Sequence, residues 1–288
     1  MPKPDAWQFE AIGTAWQIDS AAPLSTPTRD AVLERINAFD DVWSRFREDS
    51  IVTQIAGSSG TWELPDEADA LLHLYASLYE LTDGSMTPLI GRALADLGYD
   101  ADYSLTEQDD PGPVPSWDAI AWHHPYLTNI EPVLLDVGAA GKGLLVDLVA
   151  GMLGDAGVDG FTVDASGDLL HRAPEPLRIA LEHPADASRA VGVAELEAGQ
   201  ALCGSATNRR AWGDGLHHVL DGRTGRPTDD VIATWVVADS CMVADGLATA
   251  LFLAEPDQLM ARFTYEFVRM HADGRVEWSP EFPGEVFV

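Results

Sequence analysis

Lysine is nearly missing from this chain. Of 288 residues only Lys3 and Lys142 are lysines, and every other basic side chain is arginine. Cationic charge is scarce altogether: 17 Lys and Arg stand against 47 Asp and Glu, a formal charge of −30. A surface of that sign repels nucleic acid and anionic membrane, which excludes both as general partners. An anionic ligand would need a local shield of metal ion, helix N-termini or a few placed cations. Cysteine is scarce too. Cys203 and Cys241 are the only two, too few for a disulfide framework or a zinc pattern, and they predict a reduced, cytoplasmic protein. No apolar run approaches the roughly 20 residues that span a bilayer, so no membrane insertion is expected. The opening Met1-Pro-Lys-Pro-Asp-Ala-Trp7 lacks the apolar segment of a secretory signal. GxxxxGK[ST], GxGxxG, HExxH and a nucleophile elbow are all absent.

What is present suffices for a substantial core, since 46% of the residues are apolar. Alternation over 8–19 predicts an opening strand around Ile12–Ile18. Helical spacing predicts helices over 28–47 and 66–82, the second stopped by Asp83-Gly84. Residues 100–117, rich in Asp, Pro and Ser, read as a surface excursion. Short strands follow at Val133–Val137, Phe161–Ala165 and Arg178–Glu182. Val191–Glu197 and Gln200–Gly204 read as a pair, with further strand at His217–Leu220 and Ile232–Val237. Helices are expected at Gly143–Leu153 and Cys241–Phe252, and a closing hairpin over Phe263–Trp278 turns at Ala272-Asp273-Gly274. The class is α+β, a mixed α/β unit over 1–288, organised as one compact domain or two intimate subdomains.

The densest chemistry lies in Asp136-Val-Gly-Ala-Ala-Gly-Lys-Gly143. Glycines let a ligand approach the backbone, and the helix that follows offers unpaired N–H groups to phosphate oxygens, with Lys142 as a compact cation. The same pattern also suits a plain strand-to-helix turn with a solvated lysine. Asp245 and Thr249 lie four apart in a small, apolar helix and share one face. Carboxylate and hydroxyl together form a hard-oxygen pair suited to Mg²⁺. Asp245 near the helix start could equally serve the helix dipole, with Thr249 bonding back to a carbonyl. In His217-His218-Val-Leu-Asp-Gly-Arg-Thr-Gly-Arg-Pro227, His218 and Asp221 form a candidate acid/base pair, and Arg223 and Arg226 could fork onto a phosphate or carboxylate. A hairpin loop explains that segment as well. Ser166-Gly167-Asp168 ends a strand of the kind that meets ligands in α/β sheets.

The order of these segments resembles the ApbE family, the FAD:protein FMN transferases, from Ile12-Gly-Thr-Ala-Trp16 to about Leu253. Ser44-Arg-Phe-Arg-Glu-Asp-Ser50 is similar to the family's "S-x-[YF]-R-x-D-S", and Asp83-Gly-Ser-Met86 to "[DE]-G-A-[FM]-D". Asp136–Gly143 is similar to "D-L-G-G-I-A-K-G", and Val163–Asp168 to "V-x-x-G-G-D". His218–Pro227 is similar to "H-I-I-D-P-R-T-G-x-P", and Ala244-Asp-Gly-Leu-Ala-Thr-Ala250 to "A-D-A-L-A-T-A".

The resemblance implies a Mg²⁺-dependent enzyme that cleaves FAD at its pyrophosphate. It would join FMN to a Ser or Thr hydroxyl of an acceptor flavoprotein and release AMP. Asp245 and Thr249 would hold Mg²⁺ with the Ala139 carbonyl. Gly138, Lys142 and Gly143 would lie against FAD. Phe46, Ser85, Met86, Thr87 and Leu220 would line the flavin cofactor, joined by Arg223 and Thr224. His218 and Asp245 would be catalytic. Three departures stand out. The family's "T-S-G-x-Y" is replaced by Gly204-Ser-Ala-Thr-Asn208, Thr87 stands for an Asp, and Gly222 for the proline of "D-P-R-T-G". Two rival activities remain open on this reading: FAD pyrophosphatase, and a non-catalytic FAD carrier.

Overall fold

A computed structural model describes residues 5–109 and 111–287, so Lys3 and one residue of the 100–117 excursion lie outside the described residues. Eight strands form the main sheet, in the order Asp5–Ala11, Thr14–Ser20, Phe161–Asp164, Asp168–His171, Ala201–Ala206, Val231–Ala238, Glu266–His271, Val276–Trp278. Every neighbouring pair is antiparallel. Side chains alternate across such a sheet, and the two faces feed different cores. Leu170, Cys203, Val236 and Phe267 join the core built with the helices. Their chain neighbours Leu169, Leu202, Trp235, Val237 and Val268 join a second core. A three-stranded sheet of Leu177–His183, Asp186–Leu196 and Gly284–Val286 covers that second face. The result is an α+β unit with helices on one face and a small sheet on the other.

The opening segment is two strands rather than one, because Ile12 and Gly13 both take positive φ (46° and 71°) and reverse the chain. The helix expected over 28–47 spans Thr26–Trp43. It gives way to a second helix, Ile51–Gly57, whose first turn is capped by the Ser50 hydroxyl accepting from Thr53 N–H at 3.1 Å. The helix expected over 66–82 spans Glu67–Leu81 and stops as foreseen, with Asp83 and Gly84 at φ 50° and 84° and Gly84 N–H donating to Tyr79 O at 2.8 Å. Val133–Val137 is not a strand. Val133, Leu135 and Val137 are buried as a strand's would be, yet the segment joins no ladder and its Asp136 N–H donates to Pro88 O at 2.7 Å. Val191–Glu197 and Gln200–Gly204 do not pair with each other. The first belongs to Asp186–Leu196 in the small sheet and the second to Ala201–Ala206 in the large one. His217–Leu220 reduces to two short bridges at Leu216–His217 and Leu220–Asp221.

Two helices position the site. Gly141–Asp155 and Cys241–Ala250 pack directly on each other. Gly143 permits this contact, because a Cβ there would lie 2.3 Å from Cys241 O and 2.7 Å from Asp245 Cβ. No helix among the described residues is long and apolar enough to cross a membrane.

Candidate active site

A cleft of about 480 Å³ opens where the two helices meet the ends of the sheet strands, the Thr82–Thr87 turn and the 207–221 segment. That volume suits a small-molecule ligand. Ser85, Met86, Thr87, Gly138, Ala139, Lys142, His218, Leu220, Asp245 and Thr249 all line it. The structure thus gathers on one surface ten residues that lie more than 160 positions apart at the extremes of the chain.

At the centre are two buried carboxylates and one ammonium. Lys142 Nζ lies 2.7 Å from Asp168 Oδ2 and donates to Ala165 O at 3.1 Å. Burial works against the ammonium, but the charges of Asp168 and then Asp245 outweigh it, so its pKa is raised. With Lys142 committed to Asp168, Asp245 keeps one direct partner in this frame, the Gly143 N–H, which donates to its Oδ2 at 2.9 Å. Burial first, and Asp168's charge second, push Asp245 well above the usual carboxylate range. Thr249 lines the cleft one helical turn further on. Among the described residues no group of three or more His, Cys, Asp and Glu gathers as a metal cluster. A site here would therefore be mixed: one carboxylate, one hydroxyl and the carbonyl of Ala139. Such a hard-oxygen set fits Mg²⁺, which retains waters and takes substrate phosphates as its other ligands. The under-compensated Asp245 carboxylate is the observation that asks for a cation.

His218 lies against the cleft, and its pKa falls to about 4. Burial is the main cause, with the Arg210 charge second. Its ring is therefore uncharged across the neutral range. The wall carrying Leu94 and Tyr99 is braced from behind. Arg45 is buried, pairs with Asp136 through Nε, and donates from Nη1 to Tyr99 O at 2.6 Å. Burial opposes charge on Asp136, but Arg45 overrides it and holds that carboxyl below its usual range. The Asp136 Oδ1 in turn accepts from Gly138 N–H at 2.7 Å, which fixes the turn that presents Ala139.

Four expected residues sit elsewhere. Phe46 is a support, not a lining residue: it stacks on Tyr103 at 5.3 Å and meets Tyr99 edge-on at 5.5 Å. Gly143 serves helix packing. Arg223 and Thr224 are not among the residues that line the cleft. Arg223 is held by Asp221 at 2.6 Å, and Arg226 by Glu107. Asp221 captures Arg223 within the turn, and Glu107, far away in sequence, captures Arg226. The cations that do line the cleft there are Arg209 and Arg210, and the Arg210 guanidinium meets the Tyr99 hydroxyl. Nothing in the sequence pattern separates Arg210 from Arg223, because only the fold decides which one turns inward. Trp235 is a second unforeseen lining residue, in register with Gly204 on the adjacent strand, where a Cβ would meet its ring at 3.1 Å.

The departure at Gly222 has a structural reason. Its N–H donates to Ser85 O at 2.7 Å, and a Cβ would lie 2.6 Å from Thr87 Cγ2 and 2.7 Å from Gly84 O. Proline offers no donor and adds bulk. We expect Gly222→Pro to lower stability by about 3 kcal/mol, measured by urea unfolding, and to loosen the Ser85–Thr87 wall. Unchanged stability would show that this contact is not made in solution.

The chain matches the ApbE family over residues 12–269. It is 33% identical over 141 residues to the FAD:protein FMN transferase of Vibrio cholerae, an alignment spanning 46% of this chain and 42% of that relative. It is 23% identical over 279 residues to the FAD:protein FMN transferase of Escherichia coli K12, spanning 86% of this chain and 78% of that one. In fold it is similar to the crystal structure of the ApbE protein of Thermotoga maritima, with a TM-score of 0.83 and 23% identity over 96% of this chain and 97% of that one. The family match covers most of the sequence and the overall fold agrees, and the chain belongs to the ApbE family.

Proposed function

We propose that this protein is a Mg²⁺-dependent FAD:protein FMN transferase, which moves FMN from FAD to a Ser or Thr hydroxyl of an acceptor flavoprotein and releases AMP. The observation that carries it is the pairing of Asp245 and Thr249 on one helix with the Ala139–Lys142 turn on another, across one cleft. The family's relatives bearing that activity name support it. A bound Mg²⁺ would supply charge to the pyrophosphate oxygens as the phosphoryl bond to AMP breaks. Asp245, Thr249 and the Ala139 carbonyl would hold it. Lys142 and Arg210 add positive charge beside the phosphates. His218 stands uncharged in the cleft and takes the proton of the acceptor hydroxyl. Met86, Leu94 and Leu220 give one arm of the cleft an apolar wall for a ring of FAD. A cytoplasmic, reducing setting is part of the proposal, in keeping with two buried thiols whose Sγ atoms lie 3.4 Å apart unbonded.

The test is incubation with FAD and Mg²⁺, with and without a flavoprotein acceptor. Covalent flavin fluorescence on the acceptor in a denaturing gel, with AMP in equal amount, is the expected result. AMP without labelled acceptor would make the protein an FAD pyrophosphatase, and neither product would make it a carrier. His218→Ala is expected to slow transfer about a hundredfold, the lower range for loss of a general base, while FAD binding persists. Full transfer by that variant would remove the histidine from the reaction.

A further inference from the structure

The helix that carries Asp245 and Thr249 is fixed at both ends by charged side chains that do not line the cleft. At its N-terminus, Asp147 accepts from Ser240 Oγ at 2.8 Å, Cys241 N–H at 2.9 Å and Met242 N–H at 3.0 Å. These are among the orphan donors every helix start must satisfy. At its C-terminal end, Arg269 donates from Nη1 to Leu251 O at 3.3 Å and Ala254 O at 3.1 Å. Arg269 is itself buried and secured by Glu255 at 3.1 Å and by Glu277. An anion at the positive end and a cation at the negative end both suit the helix dipole.

The N-terminal clamp is also reciprocal. Asp147 belongs to helix Gly141–Asp155, and that helix's own early N–H, Gly143, donates to Asp245 Oδ2 at 2.9 Å. Each helix thus lends a carboxylate to the start of the other. With Gly143 removing any side chain between them, the two helices have one relative height. That height sets the gap between Ala139 on one side and Asp245 and Thr249 on the other. Mg²⁺ demands near-ideal octahedral geometry at ligand distances of roughly 2.0–2.1 Å. A slip of a fraction of the 1.5 Å rise per residue would spoil it.

We propose that Asp147 and Arg269 are positioning residues for the cation site, setting the axial position of the Asp245–Thr249 helix from outside the cleft. This rests on the metal reading given above. The loss expected is of the size seen when groups supporting metal ligands are removed, about tenfold or more in affinity. FAD without metal would rest on the many other residues that line the cleft, so its binding is expected to be far less sensitive to helix height.

The test uses Mn²⁺ as an octahedral, spectroscopically visible probe, titrated by electron paramagnetic resonance in the presence of FAD. FAD affinity is measured separately in EDTA, and circular dichroism confirms a folded protein at the working temperature. Asp147→Asn and Arg269→Gln are each expected to weaken Mn²⁺ binding at least tenfold while metal-free FAD affinity changes less than twofold. Should Asp147→Asn fail to fold, Ser240→Ala removes one bond of the same cluster, and a weakening of about threefold is expected. Unchanged Mn²⁺ affinity in the folded variants would overturn the proposal. Parallel losses of Mn²⁺ and FAD affinity would overturn it too, since they mark general loosening. Asp245→Ala separates the two levels of inference. If it binds Mn²⁺ normally, the cation site itself is wrong; if it loses Mn²⁺ while both clamp variants keep it, only the positioning role is wrong.

Discussion

Asp245→Ala is expected to cut metal-dependent AMP release by at least about a thousandfold, some 4 kcal/mol of transition-state stabilisation, and to leave a folded protein. The carboxylate is buried, and Asp168's charge adds to the burden that raises its pKa. Its single direct bond in the frame, from Gly143 N–H, is worth only about 1 kcal/mol net. Removing a poorly compensated buried carboxylate relieves as much as it costs, so the thermal midpoint of the metal-free protein is expected to hold or rise. With FAD already saturating, adding Mg²⁺ should raise the wild-type midpoint further and leave the variant's unchanged, because only the wild type gains a cation bound to the native state. Undiminished AMP release would end the metal assignment. Collapse of the fold would instead make Asp245 a structural anchor of the two helix starts.

Gly143→Ala is expected to be nearly as damaging by a different route. The new methyl would lie 2.3 Å from Cys241 O and 2.7 Å from Asp245 Cβ. Neither neighbour is the free end of a flexible side chain: one is backbone, and the other is the root of a buried residue. The helices must separate, and overpacking of this kind costs about 3 kcal/mol. Separation also lengthens the Gly143–Asp245 bond and moves Asp245 and Thr249 away from Ala139. Stability by urea unfolding and AMP release should therefore both fall. By contrast, Gly151→Ala on the same helix meets nothing within 4 Å and is expected to be neutral or mildly stabilising, since alanine is the better helix former. Equal behaviour of the two variants would show that the close approach at Gly143 does not hold in solution.

The parts of the site legible in the sequence are those whose geometry is local. Asp245 and Thr249 share a face because a helix repeats every 3.6 residues; the glycine-rich turn announces a close approach, though at Gly143 it is the neighbouring helix, not a ligand, that comes close. Asp83-Gly84 announces a helix stop. What was not legible depends on partners far along the chain. Asp147 sits inside the glycine-rich stretch's own helix, yet its function is defined by N–H groups at positions 241 and 242. Arg223 and Arg210 are alike in composition, and only the capture of Arg223 by Asp221 tells them apart. The buried run at Val133–Val137 looks like a strand because burial, not pairing, sets its apolar pattern. Strand order escaped for the same reason: Gln17 pairs with Asp164, and no local signal names that partner.

That last pairing bears on how the chain folds. The Asp5–Ala11 and Thr14–Ser20 hairpin is made well before its neighbour strand, Phe161–Asp164, has emerged. The sheet then needs Val231–Ala238 and Glu266–His271 to continue. Contacts this distant in sequence are slow to form, because chain closure must precede any gain from pairing. The N-terminal hairpin therefore waits on the ribosome with an open edge. The cleft, which draws on both the Gly13–Thr14 turn and the Cys241–Ala250 helix, is completed only after that helix has been made.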